Sequence, residues 1–156
     1  MSIDFTDISK IKKVVKPWGY EIWIANGSPN FKYALKQIFF KSKYKTSIQF
    51  HEFKEETTYV KDGKGLFYYS TTKIDLERYK KNDYSQNELN EIIDNFKTKE
   101  LNPGDIIHIK PGIIHRVESI DNLMTIEVST TELDDVYRLN DEWNRSDGKI
   151  DHEINY

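Results

Sequence analysis

The sequence predicts an all-β domain built as an antiparallel barrel or jelly roll. Three observations point there. Short runs rich in aromatic and branched apolar residues recur along the chain, and turn pairs such as Asn26-Gly27, Asp62-Gly63 and Pro103-Gly104 separate them. Only one segment has a clear helical period and a cap of its own. Aromatic residues make up 13% of the chain, and they suit a pleated, half-buried surface. The 156 residues allow one domain with a real core, and no repeat or linker divides them.

Taken in order, Ile8, Ile11, Val14 and Val15 fall near helical spacing behind Thr6 or Asp7. Residues 1–15 are therefore expected to form an arm or short helix packed on the barrel or on a second subunit. Pro17 and Gly19 end it. Tyr20 to Ala25 and Phe31 to Phe40 read as strands joined by the turn Asn26-Gly27-Ser28-Pro29-Asn30, which makes a hairpin. Thr46 to Phe53, Thr57 to Lys61 and Leu66 to Ser70 are further strands, and Lys73 to Tyr79 alternates like another. Ser85 and Glu88 form a capping box, followed by Leu89, Ile92, Ile93 and Phe96 on one stripe, which predicts a helix over 85–97. Ile106 to Ile109, Val117 to Ile120 and Leu123 to Ser129 complete the strands. The barrel is expected over 16–70 and 102–145, with 71–101 as an insertion.

Composition narrows the chemistry. The net charge is −3 with both signs interspersed, which gives no basic field for nucleic acid. There are no cysteines, so disulfides, thiolate metal sites and a cysteine nucleophile are excluded. Any metal must be held by His, Asp, Glu or neutral oxygen donors. No apolar run approaches the length of a membrane span, and the first residues carry no apolar leader core. A soluble, cytoplasmic protein is the expectation. No P-loop, dinucleotide fingerprint or nucleophile elbow is present.

Two patterns carry chemistry. Gln49 and His51 share one face of a strand, and Glu56 follows beyond a tight reversal. Later, Gly104-Asp105 precedes a strand, and Lys110-Pro111-Gly112 then delivers His115 to the start of another. These patterns resemble the two motifs of the cupin superfamily, with Gln49 in place of the first histidine and Lys110 in place of a proline. The resemblance implies a small barrel of two sheets with one divalent metal inside it, held by Gln49, His51, Glu56 and His115. Glu55 is the rival to Glu56 by a one-residue slip, and Gln49 either binds the metal or orients a residue that does.

A narrower likeness spans roughly Lys16 to Arg145. Lys16-Pro17-Trp18-Gly19-Tyr20-Glu21, Ser47-Ile48-Gln49-Phe50-His51, Pro111-Gly112-Ile113-Ile114-His115-Arg116-Val117-Glu118, Ile126-Glu127-Val128 and Asp134-Asp135-Val136-Tyr137-Arg138 are similar to segments of type II phosphomannose isomerase domains. That likeness implies a metal-dependent aldose–ketose isomerase acting on a sugar or a sugar phosphate such as mannose 6-phosphate. Zn²⁺ is the first expectation for the metal, and Mn²⁺ or Fe²⁺ fits the same donors. The chain departs from the pattern at Glu52 and Phe53, where those domains carry histidines, and in the longer segment from Thr71 to Leu101.

Lys36 and Glu127 each interrupt an apolar strand, and a polar side chain facing a barrel interior usually has a partner or a task. Glu127 is the expected base, with Lys36 as its rival, and Arg138 and Lys45 are expected to hold an anionic substrate end. His108 is expected to point outward and His152 to lie in a polar tail. Phe31, Tyr33, Phe39 and Phe40 are expected in the core. The competing function is a non-catalytic cupin that binds a sugar or nucleotide-sugar. A homodimer is expected, with Ile8 to Val15 covering an exposed strand edge.

Overall fold

The computed structural model describes residues 3–148. Eleven strands and two short helices follow one another along them. The strands are β1 (Lys13–Lys16), β2 (Gly19–Asn26), β3 (Ala34–Phe40), β4 (Ile48–Phe50), β5 (Glu56–Asp62) and β6 (Gly65–Lys73). Helices α1 (Leu76–Lys80) and α2 (Gln86–Asp94) come next, then β7 (Lys97–Leu101), β8 (Ile106–Ile109), β9 (Ile113–Ser119), β10 (Leu123–Ser129) and β11 (Tyr137–Asn140). They form two antiparallel sheets, one of order β1-β2-β3-β10-β5-β8 and one of order β11-β4-β9-β6-β7. The chain crosses between the sheets repeatedly, so residues far apart in sequence face a common interior.

Strand alternation sets what that interior contains. On β3 the residues pointing inward are Ala34, Lys36, Ile38 and Phe40, and on β10 they are Leu123, Thr125, Glu127 and Ser129. The register pairs Phe40 with Leu123 at one end of these strands and Lys36 with Glu127 toward the other. The interior is thus graded. One end is an apolar core of Trp18, Ile38, Phe40, Val60, Phe67, Leu101, Ile109 and Leu123, with Trp18 stacked on Phe40 at 4.7 Å. The other end carries buried polar side chains, and a cavity of about 360 Å³ lies between the two, lined by Trp18, Phe40 and Leu101 as well as by Glu56, His115 and Glu127.

Turn chemistry holds the hairpins in register. Gly63, between β5 and β6, has φ +84°, and a Cβ there would lie 1.8 Å from the Asn122 carbonyl oxygen. Only glycine meets both conditions. The capping box forms as the sequence predicts: Ser85 Oγ accepts from the Glu88 N–H, and Glu88 Oε2 accepts from the Ser85 N–H at 2.8 Å. The helix stops at Asp94, earlier than expected, because Asn95 caps it and the chain turns at once into β7, which pairs with β6.

Several expectations are corrected. The apolar spacing from Ile8 to Val15 makes no α-helix. A single 3₁₀ turn (Ile8–Lys10) under Asp7 is followed by β1, whose Val14 is buried. Lys73 to Tyr79 is not a further strand, because Asp75 caps the Arg78 N–H and starts α1. Strand β9 begins at Ile113, ahead of the expected Val117. Of the four aromatics expected in the core, Phe40 is buried, but Phe31 and Tyr33 precede β3 and are 41% and 46% exposed. Phe39 points to the outer face of its sheet, stacked on Tyr20 at 5.0 Å.

Candidate metal centre

The five-stranded sheet brings two of the sequence's candidate ligands to one wall. Gln49 on β4 pairs directly with His115 on β9, and Arg138 on β11 pairs with Gln49 from the other side. His51 follows immediately after β4. The chain then reverses into β5, whose first residue, Glu56, faces back toward both imidazoles. Asp135 pins that reversal. Its carboxylate accepts the backbone N–H groups of Glu52, Phe53 and Lys54 at 2.9, 2.6 and 2.8 Å.

The three side chains converge. His51, Glu56 and His115 each offer one donor atom within 4.8 Å of the others, and all three residues are buried. Glu56 Oε1 lies 3.5 Å from His115 Nε2, and Glu56 Oε2 lies 3.8 Å from His51 Nε2. Bonds of ~2.0–2.2 Å to one ion place ligand atoms roughly 3.0–3.6 Å apart, so small side-chain shifts suffice.

The tautomers fit as well. His51 Nδ1 donates to the Asp135 carbonyl, and His115 Nδ1 donates to the Ile113 carbonyl at 3.0 Å. A carbonyl only accepts, so each ring carries its proton on Nδ1 and turns the Nε2 lone pair inward, as metal-binding histidines do. His51 Nε2 is buried with no hydrogen-bond partner, an orphan that an ion would satisfy. Burial lowers the His51 pKa to about 4; Lys54 and His115 push the same way, and Glu56 opposes. The ring is therefore neutral at neutral pH, the form that binds metal.

Lys54 is the residue that sequence reasoning missed. It is buried, and its ammonium bridges two carboxylates, donating to Glu56 Oε2 and to Glu127 Oε1, the latter at 3.1 Å. Burial disfavours that charge, but Glu127 and Glu56 outweigh it and hold the amine protonated. Burial would likewise raise the Glu56 pKa, yet Lys54 and the imidazoles carry it well below the usual carboxylate range. Glu127 goes the other way, raised first by burial and then by the Glu56 charge, against the pull of Lys54 and Lys36. Of the two acids sharing Lys54, Glu127 is the weaker. In sequence, Lys54 is one charge in a charged run; only the loop that Asp135 folds turns it inward.

Lys36 and Glu127 both line the cavity, paired across β3 and β10. Lys36 is engaged: its Nζ lies 3.2 Å from Glu21 Oε2, and 4.7 Å over the Trp23 ring. Trp23 Nε1 donates to the same Glu21 oxygen at 2.6 Å. Gln49 lines the cavity, with its Oε1 accepting from Ser47 Oγ at 2.6 Å. Arg138 also lines it, and its Nη1 donates to the carbonyls of Ser146 and Gly148. Lys45 does not join this group. It pairs with Glu142 at 3.0 Å outside the cavity lining. Glu55, the rival to Glu56, is exposed and paired with Lys110. His108 points outward as expected, 2.9 Å from Thr57 Oγ1. His152 lies outside the described residues.

No family model and no curated protein matches the chain. Solved structures do. The capsular polysaccharide assembling protein CapF from Staphylococcus aureus superposes with a TM-score of 0.59 at 16% identity, over 82% of this chain and 31% of that one. Oxalate decarboxylase from Lactobacillus farciminis, in a formate complex, gives 0.62 at 13% identity, over 89% and 37%. Oxalate decarboxylase from Bacillus subtilis gives 0.63 at 11%, over 86% and 31%. The fold is the cupin barrel. This chain spans about a third of the length of these structures, and at such identities the likeness shows the fold alone. Within that cupin barrel, the chain's own residues supply a cluster able to hold a metal. Among the described residues no helix is long and apolar enough to cross a membrane.

Proposed function

We propose that this cupin is a metal-dependent isomerase that interconverts the aldose and ketose forms of a sugar or sugar phosphate, of the mannose 6-phosphate type. The observation that carries the reading is that Glu127 shares a cavity with the His51–Glu56–His115 donor set and is tied to it through Lys54. The motif likeness to type II phosphomannose isomerases supports the reaction class. Zn²⁺, Mn²⁺ and Fe²⁺ all suit two imidazoles and a carboxylate, with Gln49 beside them as a further oxygen donor.

Bound there, a divalent ion would supply Lewis acidity to two adjacent substrate oxygens. The chain's own residues do the rest. Isomerisation moves one proton between C2 and C1 and another between the two oxygens. Glu127 is the group to carry the carbon-bound proton, because burial and the Glu56 charge make it a better base than an exposed carboxylate. Lys54 fixes the direction of that carboxylate. Lys36, the rival base, is committed to Glu21 and Trp23. Arg138 remains in the lining to meet an anionic substrate end, without help from Lys45.

The test is turnover after chelation and metal add-back, first with a panel of aldose phosphates and then with free hexoses and pentoses. Isomerisation restored by one divalent metal, and reduced at least ~100-fold in kcat by Glu127→Gln with substrate binding kept, is the expected result. Binding of panel members without turnover in any metal state, unaffected by Glu127→Gln, would replace the isomerase with a sugar-binding cupin.

A further inference from the structure

Two acids meet at Lys54, and only one of them belongs to the donor cluster. Glu56 stands with His51 and His115, and Glu127 stands outside that set. One ammonium group separates them. Lys54 Nζ donates to Glu56 Oε2 on one side and, at 3.1 Å, to Glu127 Oε1 on the other, and all three residues are buried.

A metal centre without Lys54 would not keep the two acids apart. A divalent ion held by two neutral imidazoles and one carboxylate retains a positive charge. A second buried carboxylate an ammonium's width away would be drawn onto it, because buried charges pair or coordinate metals. Glu127 would then be a ligand, with its lone pair committed to the ion and no longer available to a carbon-bound proton. Lys36 does not prevent this. It stands beside Glu127 in the register, yet its Nζ lies 3.2 Å from Glu21 Oε2 and 4.7 Å over the Trp23 ring. The ion pair to Glu127 comes from Lys54.

We infer that Lys54 is a positioning residue that keeps Glu127 off the metal. Its ammonium occupies carboxylate oxygens that would otherwise close around the ion, and so preserves both the base and the open coordination positions that substrate oxygens need. Its chemistry suits the part. An ammonium has three donors and no lone pair, so it bonds both acids and offers the metal nothing. Its place is fixed by the backbone. The Asp135 carboxylate accepts the Lys54 N–H at 2.8 Å, and the carbonyl of the same residue accepts from His51 Nδ1. One residue thus sets the direction of a metal ligand and anchors the lysine beside it. Charge suits the part too. The ion and the ammonium together outweigh the two carboxylates by one positive charge, which favours an enediolate. With Glu127 on the ion and no ammonium, the centre is neutral. Lys54 acts in this way only if the cluster binds metal and Glu127 is the base.

Water-proton relaxation of Mn²⁺-loaded protein tests it, because it counts the exchangeable waters on the ion and needs no turnover. A six-coordinate ion with three or four protein donors keeps about two or three waters. In Lys54→Met about one should be lost, and the inner-sphere relaxivity per bound Mn²⁺ should fall by roughly a third to a half. Adding Glu127→Leu should restore it, since the carboxylate that displaced the water is gone; a lysine that merely stabilised the fold would give no such reversal. Glu127→Gln with Lys54 in place should leave the relaxivity unchanged, a readout that stands even if Lys54→Met fails to fold. Relaxivity unchanged in Lys54→Met, a loss that Glu127→Leu does not reverse, or a rise in Glu127→Gln alone overturns the inference while the metal centre stands. Protein that takes up no Mn²⁺ in excess overturns it as well, and metal analysis after incubation with Zn²⁺ or Fe²⁺ then decides the centre separately.

Discussion

At the scale of the residue, the centre turns on how buried charges are balanced. Two carboxylates, Glu56 and Glu127, share one ammonium, Lys54, in the interior. Removing the shared cation from such a group typically costs about 3–5 kcal/mol, because the anions left behind are less well compensated. Lys54→Met should therefore lower the unfolding temperature of metal-free protein by several degrees. A divalent ion bound at Glu56 would return much of that loss. Thermal shift with and without Zn²⁺ or Mn²⁺ checks it: the metal-induced rise should be larger in Lys54→Met than in wild type, and equal rises would show that Lys54 and the metal do not share Glu56. His51, Glu56 and His115 were legible in the sequence because the two motifs that carry them resemble those of the cupin superfamily, which implies one shared site, and the three side chains do cluster. Lys54 was not, since its inward turn depends on Asp135, some eighty residues later, capping three N–H groups in a row. Lys45 misled for the same kind of reason: its partner, Glu142, comes from a distant segment that the local pattern does not reveal.

At the scale of the element, strands were read more securely than their ends. Strands β8 and β10 fall where alternation and turn residues place them. The capping box located α2 because its two hydrogen bonds are local. Errors came where a short pattern satisfied two periods. Ile8 to Val15 fits a helix on paper, but its Val14 is better buried in a strand against β2, and the edge pairing wins. Lys73 to Tyr79 alternates, yet Leu76 and Tyr79 also lie on one helical face, and the Asp75 cap decides. The hairpin between β5 and β6 gives a sharper test. Gly63→Ala introduces a Cβ 1.8 Å from the Asn122 carbonyl at a left-handed φ. Chemical denaturation should show a loss of more than ~2 kcal/mol, whereas Gly104→Ala, where a Cβ meets nothing within 4 Å, should cost only the strain of its positive φ.

At the scale of the whole molecule, the barrel interior is apolar at one end and charged at the other, and the charged end makes it sensitive to acid. Burial alone would raise the Glu21 pKa, but Lys36, Lys16 and the Trp23 N–H overcome it and leave the value at about 2. A carboxyl depressed in the folded state adds stability above its unfolded pKa and loses it as pH falls toward the folded value. The drop from 4.5 to about 2 corresponds to roughly 3 kcal/mol, present above about pH 4.5 and lost between there and pH 2. Denaturation midpoints across that range should fall less steeply in Glu21→Gln than in wild type, and identical slopes would show that Glu21 does not contribute. The same graded interior places the donor cluster, and the account's central claim is that this cluster binds metal. Elemental analysis of protein purified without a histidine tag, alongside His115→Ala and Glu56→Gln, tests it most directly. About one divalent ion per chain in the wild type, lost from both variants, is the predicted result. A wild type without metal after incubation with Zn²⁺, Mn²⁺ or Fe²⁺, or variants that retain a full complement, would contradict it.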